Sequence, residues 1–138
     1  MNRKKFIKSS FALAALGFTS TSLFLESCSK VNTQPGQGAV NFTLDLSQSA
    51  NPALNSPGGS VISHNVIVIN INGSFKALSD ICTHEGCTVG YNKSSNMIIC
   101  PCHGGAFDLN GSVLKGPPPS SLKKYSVTKS GNILTITG

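Results

Sequence analysis

The chain has 138 residues, room for one domain, and a formal charge of +6. Residues 1–27 hold half of that charge, so the remainder is only mildly basic, and its seven lysines form no stripe. With no tryptophan and 7% aromatic residues to interleave with them, nucleic-acid binding finds no support.

In chain order, the first eight residues carry Arg3, Lys4, Lys5 and Lys8 and no acid, and Phe11 to Leu25 is largely apolar with small residues mixed in. This is the layout of an export signal, shorter than the about 20 residues a membrane span needs. Leu25-Glu26-Ser27-Cys28 resembles a bacterial lipoprotein box, which is cleaved before the cysteine that takes the lipid. Arg3-Lys4-Lys5-Phe6-Ile7-Lys8 is similar to a twin-arginine signal with Lys4 for the second arginine; an ordinary secretory signal is the alternative. The expectation is a signal over 1–27, a lipidated Cys28, a flexible tether over 28–38 and a folded domain over 39–138.

Val40, Phe42, Leu44 and Leu46 alternate with polar residues, the period of a half-buried strand. After a turn-rich stretch at 49–59, the β-branched runs Val61-Ile62 and Val66–Ile71 predict strands. Asn72-Gly73 then predicts a tight hairpin with Ser74–Leu78 returning. Short strands are expected at Thr88–Tyr91 and Met97–Ile99, around Phe107 and Leu109, and at Val113-Leu114. A last hairpin is expected from Tyr125–Thr128 and Ile133–Thr137. No helical period follows Cys28, so the fold class is all-β: a small antiparallel β domain.

Two runs stand out in it, Cys82-Thr83-His84-Glu85-Gly86-Cys87 and Cys100-Pro101-Cys102-His103-Gly104-Gly105. They hold four of the five cysteines and two of the three histidines, and Cys28 accounts for the odd cysteine. Cys82, His84, Cys100 and His103 form a Cys2His2 set that zinc would accept. Against zinc, Cys-x-His is tight for a finger, and Cys87 and Cys102 have no part in it unless they bond each other. The residue chemistry favours an iron–sulfur centre and leaves zinc open.

The two runs resemble the Rieske iron–sulfur proteins, which share Cys-Thr-His-x-Gly-Cys followed by Cys-Pro-Cys-His-Gly. Fifteen residues, 85–99, lie between His84 and Cys100. The resemblance covers roughly residues 60–138 and is clearest over 80–119. It includes Gly116-Pro117-Pro118-Pro119, the loop that covers the cluster in that family. It implies a Rieske-type β domain with a cluster-binding sub-domain at about 80–119 and one 2Fe-2S cluster. Cys82 and Cys100 would bind one iron, His84 and His103 the other, and Cys87 and Cys102 would form the disulfide of the quinol-oxidising branch. The ring-hydroxylating oxygenase branch lacks that disulfide. Two neutral imidazoles in place of two thiolates ease reduction, raising potentials to about −150 to +300 mV from about −400 mV in plant-type ferredoxins. The outer imidazole nitrogens would allow the electron to be coupled to a proton.

Three positions depart from the high-potential members. Gly105 and Phe107 stand where those members have a serine and a tyrosine that hydrogen-bond sulfur, which predicts a lower potential and a rise on Gly105→Ser. Glu85 stands where they have a leucine, placing a charge at the docking tip. His64 is read as a solvated loop residue, Asp80 and Asp108 as turn or edge residues, and Met97 as core.

The expected function is one-electron transfer outside the cytoplasmic membrane of a bacterial cell envelope. The domain would be held there by the lipid anchor, between a quinol or other reduced donor and a cytochrome-like acceptor. Its partners would be a quinol-oxidising membrane complex or a c-type cytochrome. Within that class it would be a subunit of a quinol-oxidising or other periplasmic oxidoreductase, arsenite-oxidase-like small subunits being one model, or a free carrier. The alternatives are the iron–sulfur subunit of a quinol–cytochrome c reductase and, in another class, a zinc- and disulfide-stabilised binding module.

Overall fold

The structure, a computed structural model, describes residues 39–47, 49 and 51–138. The expected signal, Cys28 and the tether lie outside these residues. Among them, no helix is long and apolar enough to cross a membrane.

Among the described residues, ten strands form two antiparallel sheets. They are β1 (Asn41–Asp45), β2 (Ser60–Ser63), β3 (Val66–Ile71), β4 (Ser74–Ser79), β5 (Gly90–Asn92), β6 (Met97–Ile99), β7 (Ala106–Phe107), β8 (Val113–Lys115), β9 (Lys124–Ser130) and β10 (Ile133–Thr137). The larger sheet runs β1-β10-β9-β4-β3-β2 and the smaller β5-β6-β7-β8. A 3-10 turn, Pro52–Asn55, plugs Leu54 into the core.

Strand β3 explains how the two sheets share one body. Its residues Val66 to Asn70 are all buried, as a continuous apolar run demands when both faces are covered. Val66 and Val68 face a core with Leu44, Leu54, Leu134 and Ile136. Ile67 and Ile69 face the other core, with Leu78, Val89, Ile98, Phe107, Cys82 and Cys100. The second core thus packs directly beneath the two candidate ligand cysteines. Emptying it at a residue such as Ile69 would cost about 2–5 kcal/mol.

Turn chemistry sets the hairpins. Asn72 and Gly73 both take positive φ (51° and 91°), the left-handed pair a two-residue hairpin requires. His64 and Asn65 do the same (52° and 58°), making a second tight hairpin where the sequence reads as loop. His64 is exposed, as expected, but its ring stacks on Phe42 at 4.4 Å. That contact brings the two edges of the larger sheet together, since β1 and β2 stand at its opposite ends.

Four expectations need correction. Thr88–Tyr91 does not form one strand: β5 starts at Gly90, and Thr88 instead bridges to Ile81 across the neck of the first cysteine run. Leu109 lies in a turn after β7, although it still packs on the core. Met97 is half-exposed and Ile98 takes the core position, because strand alternation turns only one of the two inward. Asp80 is buried at 5% exposure, whereas Asp108 is the turn residue expected, accepting from the Asn110 and Ser112 amides.

Candidate metal centre

The first run sits between β4 and β5, the second between β6 and β7. Their backbones are built alike. In the first, the Gly86 N–H donates to the Cys82 carbonyl at 2.9 Å and the Cys82 N–H to the Cys87 carbonyl at 2.8 Å. In the second, the Gly104 N–H donates to the Cys100 carbonyl at 3.0 Å and the Cys100 N–H to the Gly105 carbonyl at 2.8 Å. Gly86 and Gly104 close the two turns at φ 75° and 71°, a region that disfavours a side chain.

Three ties join these loops and the proline loop. Cys87 and Cys102 form a disulfide, with Cα atoms 6.5 Å apart. The Thr83 hydroxyl donates to the Ser120 carbonyl at 2.6 Å, linking the first loop to the chain just past the prolines. Pro118, itself buried, closes on Gly105: a Cβ built at Gly105 would meet the Pro118 ring at 2.5 Å. The last two ties are missed by a reading of motifs alone, because each joins residues far apart in the chain.

The donor atoms segregate by type. Cys82 and Cys100 are free thiols, buried at 3% and 2% exposure. Burial pushes the Cys82 thiol up and the Cys100 thiol beside it adds to that, while the His84 and Glu85 amides donate to the sulfur and oppose it. His84 and His103 are exposed and meet edge to face, with ring centroids 4.8 Å apart. Glu85 joins them, its Oε2 3.7 Å from His103 Nε2. Among the described residues, His84, Glu85 and His103 form one close group and Cys87, Cys100 and Cys102 another; neither mixes sulfur with imidazole. Phe107 is fully buried in the core that holds both cysteines.

Asp80 lies at the root of the first loop. Its Oδ1 is buried without a hydrogen-bond partner, and burial raises its carboxyl above the usual range. The sequence carries no signal for this, since an aspartate before a loop ordinarily reads as solvated.

Comparison with known proteins places this architecture. Residues 45–126 match the family model of the Rieske [2Fe-2S] domain. This chain belongs to the Rieske domain family. The cofactor of that family is a single [2Fe-2S] cluster. The chain is 48% identical over 62 residues to the cytochrome b6-f complex iron-sulfur subunit of Chlorobaculum tepidum, a match covering 45% of this chain and 34% of that protein. For the same subunit of Chlorobaculum thiosulfatiphilum the identity is 40% over 72 residues, covering 52% and 40%. The match therefore spans well under half the length of these relatives. Among solved structures, the plasma membrane Rieske protein of Synechocystis PCC 6803 aligns with a TM-score of 0.55 and 30% identity, over 69% of this chain and 99% of that one. The ferredoxin of carbazole 1,9a-dioxygenase from Nocardioides aromaticivorans aligns with a TM-score of 0.54 over 72% of this chain and 97% of that one. At 23% identity it speaks for the fold alone.

The donors of this Rieske domain suit the cluster. Two soft thiols in contact on the inner side and two imidazoles in contact on the outer side match two irons with unlike ligands. A single zinc would need sulfur and nitrogen donors in one shell, a grouping not found among the described residues.

Proposed function

We propose that this Rieske domain is a one-electron carrier working outside the cytoplasmic membrane, between a quinol or comparable donor and a cytochrome-like acceptor. The observation that carries the reading is the segregated donor set, buried thiols inside and exposed imidazoles at the tip. Cys82 and Cys100 would hold one iron, and His84 and His103 the other. When bound, the cluster supplies a single-electron couple. Burial of Cys82 and Cys100 keeps water from the sulfur side, the Cys87–Cys102 disulfide holds the two loops together, and the exposed imidazoles offer a partner the short path. The kinship with b6-f iron-sulfur subunits supports a quinol-side donor and a cytochrome-side acceptor.

Glu85 gives the tip a carboxylate, favouring a partner with a basic rim over an apolar socket. Gly105 and Phe107 offer no hydroxyl to sulfur, which sets the potential below that of members with a serine and a tyrosine. Anchoring through a lipid on Cys28, with export of residues 1–27 and a tether over 28–38, completes the proposal. It is supported by the sequence of those residues.

The test is direct. Purified protein is expected to be brown, to hold two irons and two labile sulfides per chain for a [2Fe-2S] centre, and to show a paramagnetic signal on reduction. Reduction by a quinol and reoxidation by a c-type cytochrome should follow, slowed by added salt as a charged tip requires. A colourless protein with stoichiometric zinc would overturn the reading. Mass spectrometry of the membrane-derived protein decides the lipid on Cys28.

A further inference from the structure

The sulfur atoms are more crowded than iron binding requires. The Sγ atoms of Cys87, Cys100 and Cys102 all lie within 4.8 Å of one another, yet only Cys87 and Cys102 are bonded. Cys100 is a free thiol at 2% exposure, so it is shielded from external thiols while facing an internal disulfide. Disulfides exchange by attack of a thiolate sulfur on a disulfide sulfur. Cys82, the other free thiol, is not in this group of three.

We propose that Cys100 is an internal nucleophile toward the Cys87–Cys102 disulfide, restrained only by its bond to iron, so that the native pairing is secure once the cluster is in place and not before. This rests on the ligand assignment under Proposed function. In the exchange, Cys100 Sγ bonds to Cys87 Sγ as its proton passes to the departing Cys102 Sγ. The Cys87–Cys102 bond breaks, and its electron pair leaves on Cys102 Sγ. One disulfide and two thiols become one disulfide and two thiols, so neither oxidant nor reductant is consumed. Attack at Cys87 is favoured because only Pro101 separates Cys100 from Cys102, too short and stiff a link for an easy bridge. Cys102 is also exposed, so it leaves into water.

The exchanged protein has lost a ligand, because Cys100 is tied up. Because the exchange is redox-neutral, Cys102 can reverse it, so a chain oxidised before it holds a cluster is diverted into a pairing that lacks one ligand until the exchange runs back.

The experiment starts from purified protein whose colour and paramagnetic signal already establish the cluster, so failure of the ligand reading is seen separately. Iron is removed anaerobically with a chelator, and the protein is held in native buffer free of thiols and oxidants. It is then quenched in acid, blocked with maleimide in denaturant and mapped by mass spectrometry. The expected result is loss of most of the Cys87–Cys102 linkage in favour of Cys87–Cys100, with maleimide moving from Cys100 to Cys102 and Cys82 remaining free. Protein that keeps its cluster should retain the native linkage over the same time. A parallel sample stripped in urea should also draw Cys82 into disulfides, which separates folded-state attack from scrambling of an open chain. Persistence of Cys87–Cys102 after stripping would overturn the proposal. So would exchange through Cys82 in native buffer, a pattern identical to that in urea, or equal exchange with the cluster retained.

Discussion

The two cysteine loops have matching backbones and carry their side chains differently. Cys82 corresponds to Cys100 and Gly86 to Gly104, each pair joined by the same carbonyl-to-amide turn. Between these fixed points the chemistry is permuted. His84 holds the third position of its loop and Cys102 the third of the other; Glu85 and His103 share the fourth; Cys87 and Gly105 share the sixth. Two copies of one turn therefore meet face to face with complementary contents. The histidines converge on the outside, the free thiols on the inside, and the extra cysteines bond across. Symmetry belongs to the backbone, and the division of labour to the side chains hung on it.

The strongest way to break this comparison is at the matched cysteines. Cys82→Ser and Cys100→Ser should each abolish the cluster completely, seen as loss of colour and of the reduced-state signal; retention in either would separate the two positions. Next come the matched glycines. Gly86→Ala and Gly104→Ala meet no close neighbour, so each should cost only the left-handed backbone penalty of about 1–2 kcal/mol, equally in both loops. Thermal unfolding of the two variants checks the equality.

The sixth position sharpens the contrast, because Cys87 is tied to the other loop while Gly105 lies under Pro118. Gly105→Ser alone should displace the proline loop and leave the potential nearly unchanged. With Pro118→Ala as well, the hydroxyl has room to reach sulfur. A rise on the order of 50 mV is then expected, the one-electron equivalent of about 1 kcal/mol. Redox titration of the two single variants and the double variant decides it.

The smallest effect concerns Asp80, which has no counterpart below the second loop. Its folded carboxyl is raised above the ordinary 3.8, so its favourable contribution is present below that value and is lost as pH rises through the folded one. At neutral pH the ionised carboxylate is a liability, since burial and the unpartnered Oδ1 outweigh the one backbone hydrogen bond it accepts. Asp80→Asn should stabilise the protein there by on the order of 1 kcal/mol and give no gain below about pH 4, as unfolding curves at the two pH values would show.

Much of this was legible in the chain. The alternation at Val40–Leu46, the apolar run at Val66–Ile71 and the Asn72-Gly73 turn are local signals, and each became the element expected. The second hairpin at His64-Asn65 was not, because histidine is an uncommon left-handed residue, and its ring is held there by the stack on Phe42 and by a hydrogen bond between Nδ1 and the Ser63 hydroxyl. Asp80 and Met97 were misplaced for a related reason: burial depends on which face of a strand or loop a neighbouring element covers. The effect of a side chain at Gly105 was equally hidden, since the obstacle, Pro118, is thirteen residues away in the chain.

By itself the sequence determined an all-β chain with two matched cysteine–histidine runs and the residue types an iron–sulfur centre requires. Local patterns sufficed for that, because strand period, turn propensity and ligand chemistry are properties of neighbouring residues. Only the tertiary structure decided that sulfur and imidazole segregate to opposite sides, that Cys100 lies within reach of the disulfide, and that Pro118 fills the place of a side chain at 105. Those are distances between loops, and they are set by the core on either side of β3 rather than by any run of residues.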